Sequence, residues 1–192
     1  MNRNWKPLYE QALDQCGYFT TQQALAAGIS NQSLYQQQKS GNLEKIRHGI
    51  YRFEQLPTSE DEDLMVVWLW SNQEGIFGLE TALRKHNLSD VLPRQIDIVL
   101  PTTFSKTKKV PAGVRVRYAD LPKSEWSWFG AIPITTIQRT LLDLAKENEH
   151  PEIIEQAITE GIQKGLFALK DVSYAARYVS RYFLGDEGDD DV

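Results

Sequence analysis

Cysteine is nearly absent: Cys16 is the single one in 192 residues. A lone thiol excludes an internal disulfide framework and any zinc site built on cysteines. Histidine is almost as scarce, with His48, His86 and His150 scattered along the chain, so neither a metal nor a cofactor is expected. Long apolar runs are missing too. The longest, Leu64–Trp70, spans seven residues, against roughly 20 for a membrane-crossing helix, and no membrane partner is expected. No apolar segment follows Met1-Asn-Arg-Asn-Trp-Lys6, so a secretory leader is not read there and the expected compartment is the cytoplasm. Positive charge is in deficit, 21 Lys and Arg against 26 Asp and Glu, for a net charge of −5. That excludes a protein that coats nucleic acid through bulk charge. Catalytic signatures are lacking as well. There is no glycine-rich phosphate loop, no HExxH and no Ser/His/Asp set. Glu80 and Asp97, followed by the loop lysines Lys106, Lys108 and Lys109, come nearest to a metal-dependent nuclease. They lack the acid and Glu-x-Lys order on one strand, and no catalytic residue is assigned.

What is present is unevenly distributed. Residues 1–53 carry six Lys and Arg against three Asp and Glu, whereas the remainder carries fifteen against twenty-three. Five of those acids fall within residues 186–192. A basic module on an acidic body is the simplest organisation. The expected fold class is α+β: an N-terminal winged helix-turn-helix over residues 1–56, then a mixed α/β domain over 57–184. An acidic tail over 185–192 has the composition of a disordered segment.

The local signals in the basic module are specific. A first helix is expected over Trp5–Cys16, with Leu8, Tyr9, Ala12 and Leu13 on one face and Gly17 ending it. A second begins at Thr20 or Thr21, both good N-caps, and stops at Gly28. A third, capped by Ser30, follows the short Gly28-Ile29-Ser30 turn. Its sequence, Asn31-Gln-Ser-Leu-Tyr-Gln-Gln-Gln-Lys-Ser40, has Leu34 as its one clear core residue. Gln32, Tyr35, Gln36 and Lys39 fall together on the opposite side. Two β-prone segments then flank Arg47-His48-Gly49, and Gly49 suits the turn of a hairpin.

Helix, tight turn, polar helix and basic hairpin is the arrangement that places its second helix in the DNA major groove. Amide side chains there bond adenine and lysine reaches guanine acceptors. Asn31, Gln32, Gln36 and Lys39 supply that chemistry, with Tyr35 against a phosphate or sugar. Thr20 and Thr21 at the start of the second helix belong to the same DNA-facing set. Lys45, Arg47, His48 and Arg52 on the hairpin are expected to hold the phosphate backbone or enter the minor groove, which positions the protein without specifying sequence. A polar, glutamine-rich helix is also what a plain solvated face looks like, and a winged helix is also used for protein contacts. A protein-interaction module with a non-DNA-binding winged helix is therefore the competing assignment.

Further along, Ser59-Glu-Asp-Glu62 has capping-box spacing ahead of an apolar helix. Helices are expected over Gly78–Asn87, Thr136–Lys146, Glu152–Lys164 and Lys170–Tyr182, and strands over Gln95–Leu100, Val114–Tyr118 and Ile132–Ile134. Trp126, Trp128 and Phe129 are expected in the core. Arg139 and Asp143, four apart on one helix, suit either an intramolecular ion pair or a partner surface.

Two stretches carry a family resemblance: Gly17-Tyr-Phe-Thr-Thr-Gln-Gln-Ala-Leu-Ala-Ala-Gly-Ile-Ser30, and Gly41-Asn-Leu-Glu-Lys-Ile-Arg-His-Gly-Ile-Tyr-Arg52. Both resemble the winged-helix domain of AbiEi-type antitoxins, the regulatory partners in type IV toxin–antitoxin, phage-defence operons. Gly78-Leu-Glu-Thr-Ala-Leu-Arg-Lys-His-Asn-Leu-Ser-Asp-Val-Leu-Pro93 and Ile134-Thr-Thr-Ile-Gln-Arg-Thr-Leu-Leu-Asp-Leu-Ala145 resemble motifs of that family's second domain. The pattern departs at Gly78-Leu79, where a Ser-His pair is expected. The resemblance implies autorepression through repeats in the operon's own promoter, bound as double-stranded DNA, with a possible homodimer on that DNA. It also implies neutralisation of a nucleotidyltransferase toxin by the second domain.

Overall fold

A computed structural model describes residues 5–148 and 150–184. The fold is mixed α+β, with two separate sheets. The acidic tail expected over 185–192 lies outside the described residues. Among the described residues no helix is long and apolar enough to cross a membrane. The chain divides into two compact units, one running to Glu74 with Gly130–Ile132, the other holding Gly75–Phe129 and the chain from Pro133 on. The first unit thus continues past the boundary expected at residue 56, because the helix that follows packs on its sheet.

The first unit opens with α1 (Trp5–Leu13), shorter than the span expected to Cys16. Cys16 and Gly17 take positive φ (55° and 88°), so the chain turns out of the helix before Gly17. The Gly17 N–H bonds the Ala12 carbonyl at 2.7 Å. A Cβ at Gly17 would lie 3.2 Å from that of Leu56, so both conformation and space favour glycine here. Three residues, Tyr18–Thr20, then form strand β1, too short to show a period in sequence. Helix α2 (Thr21–Ala26) and helix α3 (Asn31–Lys39) follow, then the strands β2 (Leu43–Arg47) and β3 (Ile50–Phe53). These strands form an antiparallel sheet in the order β1-β3-β2, with a register shift between Lys45 and Arg47. Leu8, Ala12, Phe19, Ala24, Ile29, Leu34, Leu43 and Phe53 make the core beneath it. Tyr9 and Trp5 set their ring edges against Phe53, at centroid distances of 5.2 and 6.3 Å.

Helix α4 (Glu62–Trp70) is buried along Met65–Trp70 and packs on β1 and β3. It starts later than Ser59. The Ser59 N–H bonds the Glu62 carboxylate, but the Ser59 hydroxyl accepts from Asp61, so half of the expected capping box forms.

The second unit is built on a five-stranded sheet. Its strands are β4 (Ile76–Phe77), β5 (Ile96–Leu100), β6 (Val114–Tyr118), β7 (Trp126–Phe129) and β8 (Ile132–Thr135). Their order is β6-β5-β4-β8-β7, with β5 antiparallel to β4 and parallel to β6, and β4 parallel to β8. The helices are α5 (Leu79–His86), α6 (Ile137–Lys146), α7 (Pro151–Gln163) and α8 (Ser173–Leu184). Leu83, Leu88, Leu141, Leu144, Ile154 and Ala175 lie in the buried cluster these helices form. Sequence reading misses β4 and β7. It also misplaces the aromatics of β7: the strand is a sheet edge, and Trp128 and Phe129 are 54% and 42% exposed rather than in the core.

Candidate nucleic-acid interface

The helix pair α2–α3 starts on two neutral caps, one for each helix. Thr20 accepts the Gln23 N–H on its hydroxyl, and the Gln23 side chain accepts the Thr20 N–H at 2.8 Å, a complete capping box at the start of α2. Thr20 is thereby committed to the cap. Ser30 accepts the Ser33 N–H and caps α3. Between the helices the chain turns at Gly28 (φ 76°), and the Ile29 N–H bonds the Ala24 carbonyl at 2.9 Å. The Thr21 N–H bonds the Gly49 carbonyl at 2.9 Å, which ties the first turn of α2 to the tip of the β2–β3 hairpin.

On α3, Leu34 alone is fully buried. Asn31, Gln32, Tyr35, Gln36 and Lys39 are exposed, the last four as their spacing predicts. Tyr35 stands 56% exposed, with the Lys39 ammonium 4.9 Å from its ring centroid. Gln37 is turned away and accepts from the Asn42 amide at 2.8 Å. On the hairpin, Lys45 and His48 are exposed and Arg47 is half-buried.

Arg52 does not join this surface. It is 7% exposed. Its Nη2 donates to the Leu56 carbonyl at 2.6 Å, and its Nε lies 3.6 Å from the Glu62 carboxylate. The residue is paired with Tyr18 and Glu44 in the sheet, and its side chain is turned inward. Burial, and then the nearby Glu62 charge, push the Tyr18 phenol up to about 12.

Sequence reasoning also misses an amide cluster under the helix pair. Gln23 and Gln73 both donate to the Gln15 side-chain oxygen, at 2.7 and 3.0 Å, while Gln15 donates to the Tyr18 carbonyl at 2.9 Å. No spacing in the sequence links position 73 to position 15.

In the second unit, Arg139 bonds both Asp143 carboxylate oxygens through Nε, at 2.9 and 2.8 Å, and Glu125 through Nη1. This guanidinium is an internal clamp between α6 and the segment before β7. A cavity of about 650 Å³ elsewhere in that unit includes Glu80, Asp97, Arg115 and His150 in its lining. Asp97 is buried and paired with Arg115, and Glu80 faces His150 at 3.6 Å. Among the described residues no three His, Cys, Asp or Glu side chains are grouped to hold a metal ion.

Residues 8–53 match the family described as "Transcriptional regulator, AbiEi antitoxin", a family of regulators and not of enzymes. No curated protein matches the chain. The crystal structure of the RV2827C protein from Mycobacterium tuberculosis is similar in fold. It has a TM-score of 0.54 at 14% identity, covering 98% of this chain and 78% of that one.

Proposed function

We propose that the first unit is a winged helix-turn-helix that binds duplex DNA, and that the protein is an autoregulating antitoxin. In this role α3 enters the major groove while the β2–β3 hairpin lies along the backbone as the wing. The carrying observation is the outer face of α3, on which Gln32, Tyr35, Gln36 and Lys39 are all exposed, with Asn31 exposed at the first turn. The family match over residues 8–53 supports the regulatory role. Repression follows by occlusion: a dimer, or two monomers on repeats, covers the operon's own promoter in the cytoplasm. The partner is a nucleotidyltransferase toxin, met by the second unit. The exposed aromatics Trp128 and Phe129 favour a protein contact there, since such side chains anchor interfaces.

The test is a fluorescence-anisotropy titration of the purified protein on its own promoter and on a scrambled duplex, at two salt concentrations. Tight binding confined to the promoter, weakening steeply with salt, is the expected result. Equal weak binding to both duplexes would leave the winged helix as a protein-interaction module.

A further inference from the structure

We infer that the outer face of α3 reads adenine, so that its target half-site is specified by A·T pairs in the major groove. The inference rests on the winged-helix assignment and adds the base chemistry to it. Guanine presents two acceptors, O6 and N7, and is read best by a side chain offering two donors; adenine presents one acceptor and one donor, N7 and N6-H, which match a planar amide. The cations that would read guanine are engaged or set apart. Arg52 is buried and bonded to the Leu56 carbonyl. Arg47 is half-buried on β2, with its Nε closed off from solvent. Lys39 is on the reading face, but its ammonium rests over the Tyr35 ring at 4.9 Å.

The amides divide differently. Gln15, Gln23 and Gln73 bond one another, and Gln37 bonds Asn42. Asn31 is exposed at the first turn of α3. Gln32 and Gln36 remain on its outer face and are exposed. They are one turn apart, about 6 Å along the axis, which matches roughly two base steps of about 3.4 Å. Tyr35, between them and outward, is placed to pack on a thymine methyl. The face therefore presents donor-and-acceptor pairs spaced for A·T pairs two steps apart, and no uncommitted guanidinium.

The experiment selects duplexes from a random-sequence pool with the full-length protein, then replaces single adenines in the selected site by 7-deazaadenine. That change removes the N7 acceptor and leaves Watson–Crick pairing intact. The selected site is expected to hold at least two A·T positions on one groove face. At each, the replacement should weaken binding roughly tenfold. In Gln32→Ala or Gln36→Ala protein, one of those penalties should vanish; both side chains are exposed, and circular dichroism verifies the fold. 7-deazaguanine in the same site should be neutral. Sensitivity to 7-deazaguanine with indifference to 7-deazaadenine overturns the adenine assignment and leaves DNA binding standing. Adenine sensitivity that persists in both variants overturns it as well. A protein that binds duplexes without enriching any sequence does the same. Failure to bind any duplex at low salt removes the winged-helix assignment first and the adenine assignment with it.

Discussion

Arg52 Nη2 and the Leu56 carbonyl oxygen are 2.6 Å apart, and this bond ties a hairpin arginine to the segment that follows its strand. Glu62, at the start of α4, compensates the buried charge. Arg52 joins the hairpin to the segment that follows it and is not part of the hairpin's outer surface.

Arg52→Ala should therefore act on stability. Removing one partner of a buried pair leaves Glu62 and the Leu56 carbonyl uncompensated, at a cost of about 3 kcal/mol. Urea unfolding should show a lower midpoint. Where the variant remains folded, its affinity for promoter and for scrambled DNA should each equal that of the wild type. A normal midpoint with lost DNA affinity would return Arg52 to the wing.

Lys45→Ala should do the opposite. Lys45 is exposed on β2, and a lysine on the backbone contributes to all sequences alike. Affinity should fall by a similar factor on promoter and scrambled DNA. The slope of log K against log salt should become shallower by about one. An unchanged slope would place Lys45 off the phosphates.

His86 supplies a pH dependence. Burial lowers its pKa, against the opposing effect of the Thr135 carbonyl bonded at 2.8 Å to Nε2. The folded state thus holds a neutral imidazole where the unfolded chain, titrating near about 6.5, takes up a proton. The resulting stability is present above that pH and is lost as pH falls through the lower folded value. Melting curves at pH 7.5 and 5.5 should show a larger drop in Tm for the wild type than for His86→Gln. Equal drops would show that other groups carry the dependence.

Much of the exposed face of α3 was legible in the sequence because it is local. Thr20, Ser30, Gly28 and Gly49 announce caps and turns through their own side chains or lack of one. The spacing of Gln32, Tyr35, Gln36 and Lys39 around Leu34 gives the exposed face. What escaped depends on contacts distant in sequence. Arg52 reads as a wing cation until Glu62 and Leu56 are folded against it. Strands β1 and β4 are too short for a period, and β7 sits at a sheet edge that no local pattern marks. The Gln15 and Gln73 pairing needs α4 in place before it exists.

Gly161 makes an inverted prediction. An interior helix glycine is ordinarily improved by alanine, by about 1 kcal/mol. Here a Cβ would overlap the Phe167 ring, which is buried in the helical cluster. Gly161→Ala should therefore destabilise the second unit, by about 1–3 kcal/mol, with a lower Tm in calorimetry. A raised Tm would mean the ring moves aside without cost.

The Gln15, Gln23 and Gln73 cluster has a practical consequence for measurement. Its members carry no formal charge, so added electrolyte has little to screen among them. The Arg52–Glu62 pair in the same unit is mostly shielded from solvent ions. Raising the salt should therefore leave the scaffold beneath α3 with its geometry unchanged. A loss of duplex affinity in a salt titration of this protein would then count phosphate contacts rather than gauge unfolding.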